Sequence, residues 1–138
     1  MAALHQIDIG NGRKARVAAI DGSVLSTSLD HAEAMAAHGD DLEELTRHDI
    51  AFHQTIAKAS GNVLFYNIIR SLEALMTVAV PSAWHARTTA DQRAMVLEQH
   101  HRLAEAIANR DTAAALAEMN THFDTSIADL FARYSAAI

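Results

Sequence analysis

Asp49 and His53 are the pair of residues in this chain whose types and spacing are best suited to chemistry. They are four positions apart, so on a helix their side chains lie beside each other on one face. Asp49 is also seven positions from both Leu42 and Ile56, which places the pair on the apolar stripe that should face the core. A carboxylate and an imidazole on a buried face must be ion-paired, hydrogen-bonded or bound to a metal. The pair therefore has the arrangement of a cation chelate.

Two later histidines occupy similar positions and extend this pair into a candidate metal site. His100 shares one face of a predicted helix with Leu103 and Ile107, and His122 flanks the apolar stripe of the last predicted helix. Helical bundles build metal sites from side chains on facing helices. Three imidazoles and one carboxylate suit Zn²⁺, with Ni²⁺, Mn²⁺ or Fe²⁺ as alternatives, and disfavour Ca²⁺. The alternative is that each histidine is a core residue satisfied by hydrogen bonds, and the spacing does not distinguish the two.

His101 competes with His100 for its place in this site. The two residues are adjacent and so point about 100° apart around a helix, and Leu103 and Ile107 align with His100. The other histidines are predicted to lie on the surface or in loops: His5, His31, His38, His48 and His85. Other chemistry finds little support, because the sequence has neither a glycine-rich phosphate loop after a strand nor a Gly-x-Ser-x-Gly motif.

The elements that must position these residues are predicted to be helices, because alanine is abundant and Pro81 is the single proline. Residues 1–24 are poorly defined, with two helical turns at most over 13–20, and residues 25–138 are predicted to form one metal- and ligand-binding helical domain. Caps and stop residues predict helices from 26–28 to about 38, from 40 to 60, from about 62 to 79, from 88 or 89 to about 109, and from 111 to about 136. Pro81 is expected to end the third of these, and a connection containing Trp84 is expected over 81–88. The last four are well supported and predict a compact bundle.

The composition limits the class of protein. A chain of 138 residues is long enough for one domain with its own core. The 11 Lys and Arg against 17 Asp and Glu give a net charge of −6, which makes the chain alone a poor DNA binder. The absence of cysteine fits a reducing compartment and excludes disulfides and thiolate sites. With no signal peptide and no apolar run of membrane-spanning length, a cytoplasmic protein is expected.

Four motifs in order resemble the FCD domain, the effector-binding C-terminal domain of the FadR subfamily of GntR transcription regulators. They are Asp49-x-x-Phe52-His53, Ala59-Ser-Gly-Asn62, His100-x-x-Leu-x-x-Ala-Ile107 and Asp111-x-x-x-Ala115-x-x-x-Met119-x-x-His122, and the resemblance runs from about Leu29 to Phe131. It implies an antiparallel helical bundle, a homodimer, and a divalent metal held by Asp49, His53, His100 and His122. It also implies a small carboxylate effector beside the metal, and it selects His100 over His101.

The predicted function is that of a ligand-sensing domain of a GntR-type regulator, not an enzyme. Such regulators carry a winged helix-turn-helix before this domain, and the sequence contains none, so DNA is expected to be contacted only through a separate N-terminal domain. Residues 1–25 match the first helix of the family poorly, and Gln99 stands where an acid usually precedes the histidine. The alternatives are a small helical metalloenzyme acting on a carboxylic acid and a structural helical interaction module.

The charge of the predicted site indicates the kind of effector. A divalent ion with one aspartate and three neutral histidines carries a net charge of about +1, which inside a bundle is poorly screened. Short hydroxy acids, dicarboxylates or sugar acids are therefore the expected ligands. Arg70, Arg87 and Arg102 are candidates for an additional counter-charge, although solvated arginines are the more ordinary interpretation.

Overall fold

The computed structural model describes residues 22–135, which form six α-helices packed as a bundle. The helices are α1 (Gly22–Ala37), α2 (Leu42–Ala59), α3 (Val63–Ser71), α4 (Glu73–Ala86), α5 (Ala90–Ala108) and α6 (Thr112–Ser135). The all-α prediction is confirmed. The helical turns predicted over 13–20 and the last residues of the final helix lie outside the described part of the chain.

Short polar side chains begin most of the helices. Asp41, Asn62 and Thr89 each accept a hydrogen bond from a backbone N–H in the first turn of α2, α3 and α5. The Asp111 carboxylate accepts from the backbone N–H of Ala114 at 3.0 Å at the start of α6. These side chains satisfy N–H groups that have no partner within the helix. Of the two predicted cap positions 88 and 89, the structure selects Thr89, the predicted cap at Asp111 is confirmed, and Asp41 caps α2.

The predicted start of the first helix is wrong. α1 begins at Gly22 rather than at the hydroxyl residues 26–28. Ser26 and Thr27 donate to the backbone carbonyl of Ser23 at 3.0 and 2.8 Å. Their hydroxyls therefore bond backwards within the helix instead of capping its N-terminus.

Residues 62–86 form two helices rather than one helix and a connection. The first helix ends before Leu72, and α3 and α4 are bent by 59°. α4 then continues through Pro81 to Ala86, so the predicted end at the proline and the predicted connection after it are wrong.

Packing explains why α4 continues past its proline. Pro81 removes one backbone hydrogen bond from the helix, but Ala83 and Trp84 beyond it are buried, and their burial offsets part of the local cost. Within the described residues no single helix is long and apolar enough to cross a membrane; α3 and α4 meet that test only as a bent pair, by length and composition alone.

The core lies between α1, α2 and α5. Its larger cluster of buried side chains joins these three helices and consists of Ala32, Met35, Phe52, Leu103 and Ala104. A smaller cluster joins α2, α4 and α5 and consists of Leu45, Trp84 and Val96. Because α2 and α5 carry three of the four predicted ligands, the core fixes most of the candidate site.

The apolar stripes of α3, α4 and α6 lie mostly outside this core. Leu64 and Leu75 are 69% and 63% exposed, and Leu116 and Phe123 on α6 are 62% and 53% exposed. Helical periodicity alone would place such residues against neighbouring helices. The bundle therefore has a packed half, formed by α1, α2 and α5, and an open half, formed by α3, α4 and α6.

Candidate metal centre

Three helices bring the four predicted ligands together. One ring nitrogen from each of His53, His100 and His122 lies within 4.8 Å of the others, and His53 Nε2 is 3.2 Å from His122 Nε2. Asp49 Oδ1 lies 3.2 Å from His53 Nε2 and 3.6 Å from His100 Nε2. The donor atoms of all four side chains thus surround one small volume, as the ligands of a transition metal do.

Phe52 holds two of these rings in place from the core side. Its side chain is fully buried, and its ring makes edge contacts with His53 and His100 at centroid distances of 5.4 and 5.1 Å. Phe52 precedes His53 on α2, and His100 extends across from α5. Packing against Phe52 therefore restricts the orientation of the two imidazoles.

Both ring nitrogens of His100 have the surroundings that are usual for a metal-binding histidine. Nδ1 lies 2.7 Å from the carbonyl oxygen of Val96, which can only accept, so Nδ1 carries the proton and donates. In the neutral ring Nε2 then has a free lone pair, and this buried atom has no hydrogen-bond partner. Metal-binding histidines commonly donate their other N–H to a backbone carbonyl in this way.

His122 also presents a neutral ring to the site. Burial, followed by repulsion from His100 and His53, lowers its pKa from 6.5 to about 3. The ring is therefore uncharged near neutral pH, and its Nδ1 is buried without a hydrogen-bond partner. A neutral imidazole is the form that binds metals.

Asp49 supplies the negative charge. Burial opposes its ionisation, but electrostatic attraction to the His100 ring, 3.6 Å away, and the contact with His53 at 3.2 Å outweigh burial, and the pKa of Asp49 lies well below its usual value. One carboxylate and three imidazoles form a donor set that fits a divalent transition metal.

A cavity of about 350 Å³ opens from this cluster toward the open half of the bundle. Its inner end is formed by the four candidate ligands and Arg87. Its walls are almost entirely apolar and come from the α3–α4 bend and from α6: Ile69, Leu72, Leu75, Met76, Ala79, Val80, Phe123, Ile127 and Leu130. The size is within the range of small-molecule sites, roughly 300–1,000 Å³.

Arg87 is buried at this inner end, and the interpretation of it as a solvated arginine is wrong. It is 5% exposed, and its Nε lies 2.9 Å from Asp129 Oδ2 on α6. Burial lowers the pKa of Arg87, and the Asp129 carboxylate counteracts that effect. Arg102 instead pairs with Glu118 at the surface, at 3.1 Å, and does not line the cavity; the exposed Arg70 lies over the ring of Tyr66.

The sequence does contain a signal for the position of Arg87. Leu72, Met76, Val80, Ala83 and Arg87 recur at helical spacing, and all line the cavity. The pattern becomes visible only if the helix is carried through the proline. His101, in contrast, faces away from the cluster, with its Nδ1 3.9 Å from Glu105.

Comparison with known proteins gives one match. The sequence model of a family described as the FCD domain matches residues 15–125. No curated protein matches the chain. The matched region includes all four candidate ligands and most of the cavity wall.

Proposed function

We propose, because this chain belongs to the FCD domain family, that it is the effector-binding domain of a GntR-type transcription regulator. In this proposal the domain senses a small carboxylate through a bound divalent metal. FCD domains are regulatory ligand-binding domains associated with GntR-family regulators rather than catalytic ones. Residues 25–138 form the sensing domain in this proposal.

The unpaired Nε2 of His100 is the observation that carries the proposal. A buried acceptor without a partner costs about 1–3 kcal/mol, and this one is aimed into the space it shares with His53, His122 and Asp49. A metal ion in that space would satisfy all four residues at once. Zn²⁺ is the first candidate, and Ni²⁺, Mn²⁺ and Fe²⁺ suit the same donors.

The four residues would hold the ion, and the ion would offer open coordination positions to a carboxylate oxygen of the effector. The opposite charges of Arg87 and Asp129 cancel. The inner end of the cavity therefore keeps the net charge of the metal site, about +1. Arg87 lines the cavity beside the cluster, so we assign it as the second partner of the carboxylate. The cavity then gives the effector its route to the metal.

A second copy of the chain is the partner proposed for the open half. Several exposed apolar side chains there do not line the cavity: Val63, Leu64, Phe65, Ile68, Val78, Leu116, Phe131 and Tyr134. Exposed patches of this kind mark interaction surfaces, and the FCD family typically oligomerises in regulators. Sedimentation equilibrium of the full chain should give the mass of a dimer, and a monomer at every concentration would exclude this arrangement.

The effector proposal is tested by the thermal stability of the metal-loaded protein and the apoprotein in a panel of carboxylic acids. At a ligand concentration ~100 times the dissociation constant, linkage raises the free energy of unfolding by roughly 2.7 kcal/mol. We expect one or more acids to raise the melting temperature of the metal-loaded protein by several degrees. The apoprotein should lose most of this response.

Asp49→Asn and Asp124→Asn form the matched pair of variants for this test. The first change removes the charged ligand and should weaken the binding of the metal and of the acid together. The second alters an exposed residue of α6 and should change neither. Equal stabilisation of the apoprotein and the metal-loaded protein would show that the metal does not hold the effector, and turnover of a bound acid would favour a metalloenzyme instead.

A further inference from the structure

The cavity beside the candidate metal centre has two chemically different ends. At the inner end are Asp49, His53, His100, His122 and Arg87. Beyond them the described lining residues are apolar with a single exception, the hydroxyl of Ser126. A ligand whose carboxylate lies at the inner end therefore places the rest of its body against hydrocarbon.

The apolar walls are incompletely covered by the protein itself. Leu72 and Leu75 on one side are 40% and 63% exposed, and Phe123 and Ile127 on the other are 53% and 49% exposed. All four line the cavity. A ligand body that fills the space between these walls would remove apolar surface from water on both sides, which favours binding in proportion to the area covered.

Polar ligand bodies are a poor match to the same walls. Each hydroxyl buried without a hydrogen-bond partner weakens binding by about tenfold or more, and a sugar acid carries several. A second carboxylate would need a cation, and Arg87, the one Lys or Arg among the described lining residues, lies at the inner end 2.9 Å from Asp129. The lining thus disfavours the sugar acids and dicarboxylates that charge alone suggested.

We propose that the effector is a monocarboxylate with an extended apolar body, its carboxylate held at the inner end and its hydrocarbon chain between α4 and α6. This inference rests on the proposed function, because it uses the same metal site for the head group. The proposed function requires only a carboxylate, and the apolar walls add that the rest of the ligand is hydrocarbon.

Calorimetric titration of the Zn²⁺-loaded chain with straight-chain monocarboxylates of increasing length tests the inference. Each added methylene should lower the dissociation constant about threefold to fourfold, from acetate until the cavity is filled. Gluconate and octanedioate are the polar comparisons and should bind at least tenfold more weakly than octanoate. Octan-1-ol, which has the chain without the carboxylate, should also bind more weakly.

Met76→Gln and Met95→Gln form the matched variants. Met76 lines the apolar wall, and glutamine keeps its shape while adding a polar group. This change should weaken octanoate binding about tenfold and leave acetate binding within twofold. Met95 is 60% exposed on α5 and lies outside the cavity, so the same substitution there should leave both affinities unchanged.

The outcomes separate this inference from the function on which it rests. Affinities that do not depend on chain length, or gluconate binding more tightly than octanoate, would overturn the apolar-body inference and leave a metal-dependent acid sensor. Chain-length dependence that is equal with and without Zn²⁺ would support the apolar channel and overturn the metal-held head group. A Met76→Gln variant that alters self-association but not octanoate affinity would assign the wall to a second copy and overturn the inference.

Discussion

Within residues 22–135, histidine rings join neighbouring helices at two places: a pocket cluster of His53, His100 and His122, and an outer pair of His31 and His48. The features of a binding site are found in the pocket cluster. In the pocket cluster, His53 and His122 approach with ring nitrogens 3.2 Å apart. In the outer pair, His31 on α1 and His48 on α2 approach with Nδ1 atoms 2.9 Å apart. Distance between rings therefore does not distinguish a candidate metal site from an ordinary contact.

The difference is in which nitrogens have partners. In the outer pair, an Arg47 N–H lies 3.0 Å from His48 Nε2, so that nitrogen accepts. The other nitrogen of His48 then carries the proton and donates to His31 Nδ1. In the pocket cluster, His100 Nε2 and His122 Nδ1 are buried without partners. The site is identified by four side chains from three helices that meet around the unsatisfied His100 Nε2, and not by a short distance between two rings.

Metal content should give the largest contrast between the two regions. His100→Ala or His122→Ala should reduce bound transition metal from about one ion per chain to near zero, because each removes one ligand. At free metal ~1,000 times the dissociation constant, the stabilisation lost is about 4 kcal/mol. Elemental analysis and thermal unfolding with and without metal measure both effects.

His48→Ala and His101→Ala are the controls for metal content. His48 belongs to the outer pair, and His101 is adjacent to a candidate ligand but points away from the cluster. Both variants should keep their metal and their metal-dependent stabilisation. If His48→Ala loses as much metal as His100→Ala, the distinction between the regions fails.

The pH dependence of the apoprotein should give the next largest contrast. The pKa of His122 is about 3 when folded, against 6.5 for an ordinary histidine. As pH falls below 6.5 the unfolded chain takes up a proton that folded His122 does not, so stability falls until the folded pKa is reached. Between pH 6.5 and 4 the loss is roughly 3 kcal/mol, and the depressed pKa of Asp49 adds a further loss below pH 3.8.

Urea unfolding in the presence of a chelator at several pH values measures this dependence, and His122→Gln should remove most of it. His48→Gln is the comparison from the outer pair. Burial and then the charge of Arg47 also lower the pKa of His48, but the Glu44 carboxylate, 3.7 Å away, counteracts them, and the His48 variant should retain most of the slope. An unchanged slope in His122→Gln would show that His122 is protonated in the folded chain.

Replacing an arginine in each region should give the smallest difference, and the quantity measured is the free energy of unfolding. Arg87→Met leaves the Asp129 carboxylate without its partner and should cost roughly 2 kcal/mol, less than a fully buried pair because Asp129 is 23% exposed. Arg47→Met alters an exposed side chain and should leave the unfolding midpoint unchanged. Adding Asp129→Leu to Arg87→Met should recover part of the loss, and no recovery would indicate that Arg87 stabilises by packing alone.

The sequence by itself determined the features that depend on near neighbours along the chain. The abundance of alanine indicated helices, Asp111 and the pair Thr88 and Thr89 indicated two of the caps to within one residue, and the spacing of Asp49 and His53 placed them on one helical face. Each inference needs only the backbone bonds and side-chain contacts within one or two helical turns. The same local periodicity separated His100 from His101.

The tertiary structure decided everything that depends on which helices meet. Burial of Trp84 carries α4 through Pro81, and this turns Arg87 inward to its ion pair with Asp129, 42 positions along the chain. His53 and His122, separated by 69 positions, adjoin because α2 and α6 do. Whether an apolar stripe enters the core, as on α2, or forms a cavity wall, as on α6, is likewise decided by the neighbouring helices, because burial is a property of the assembled bundle and not of any one helix.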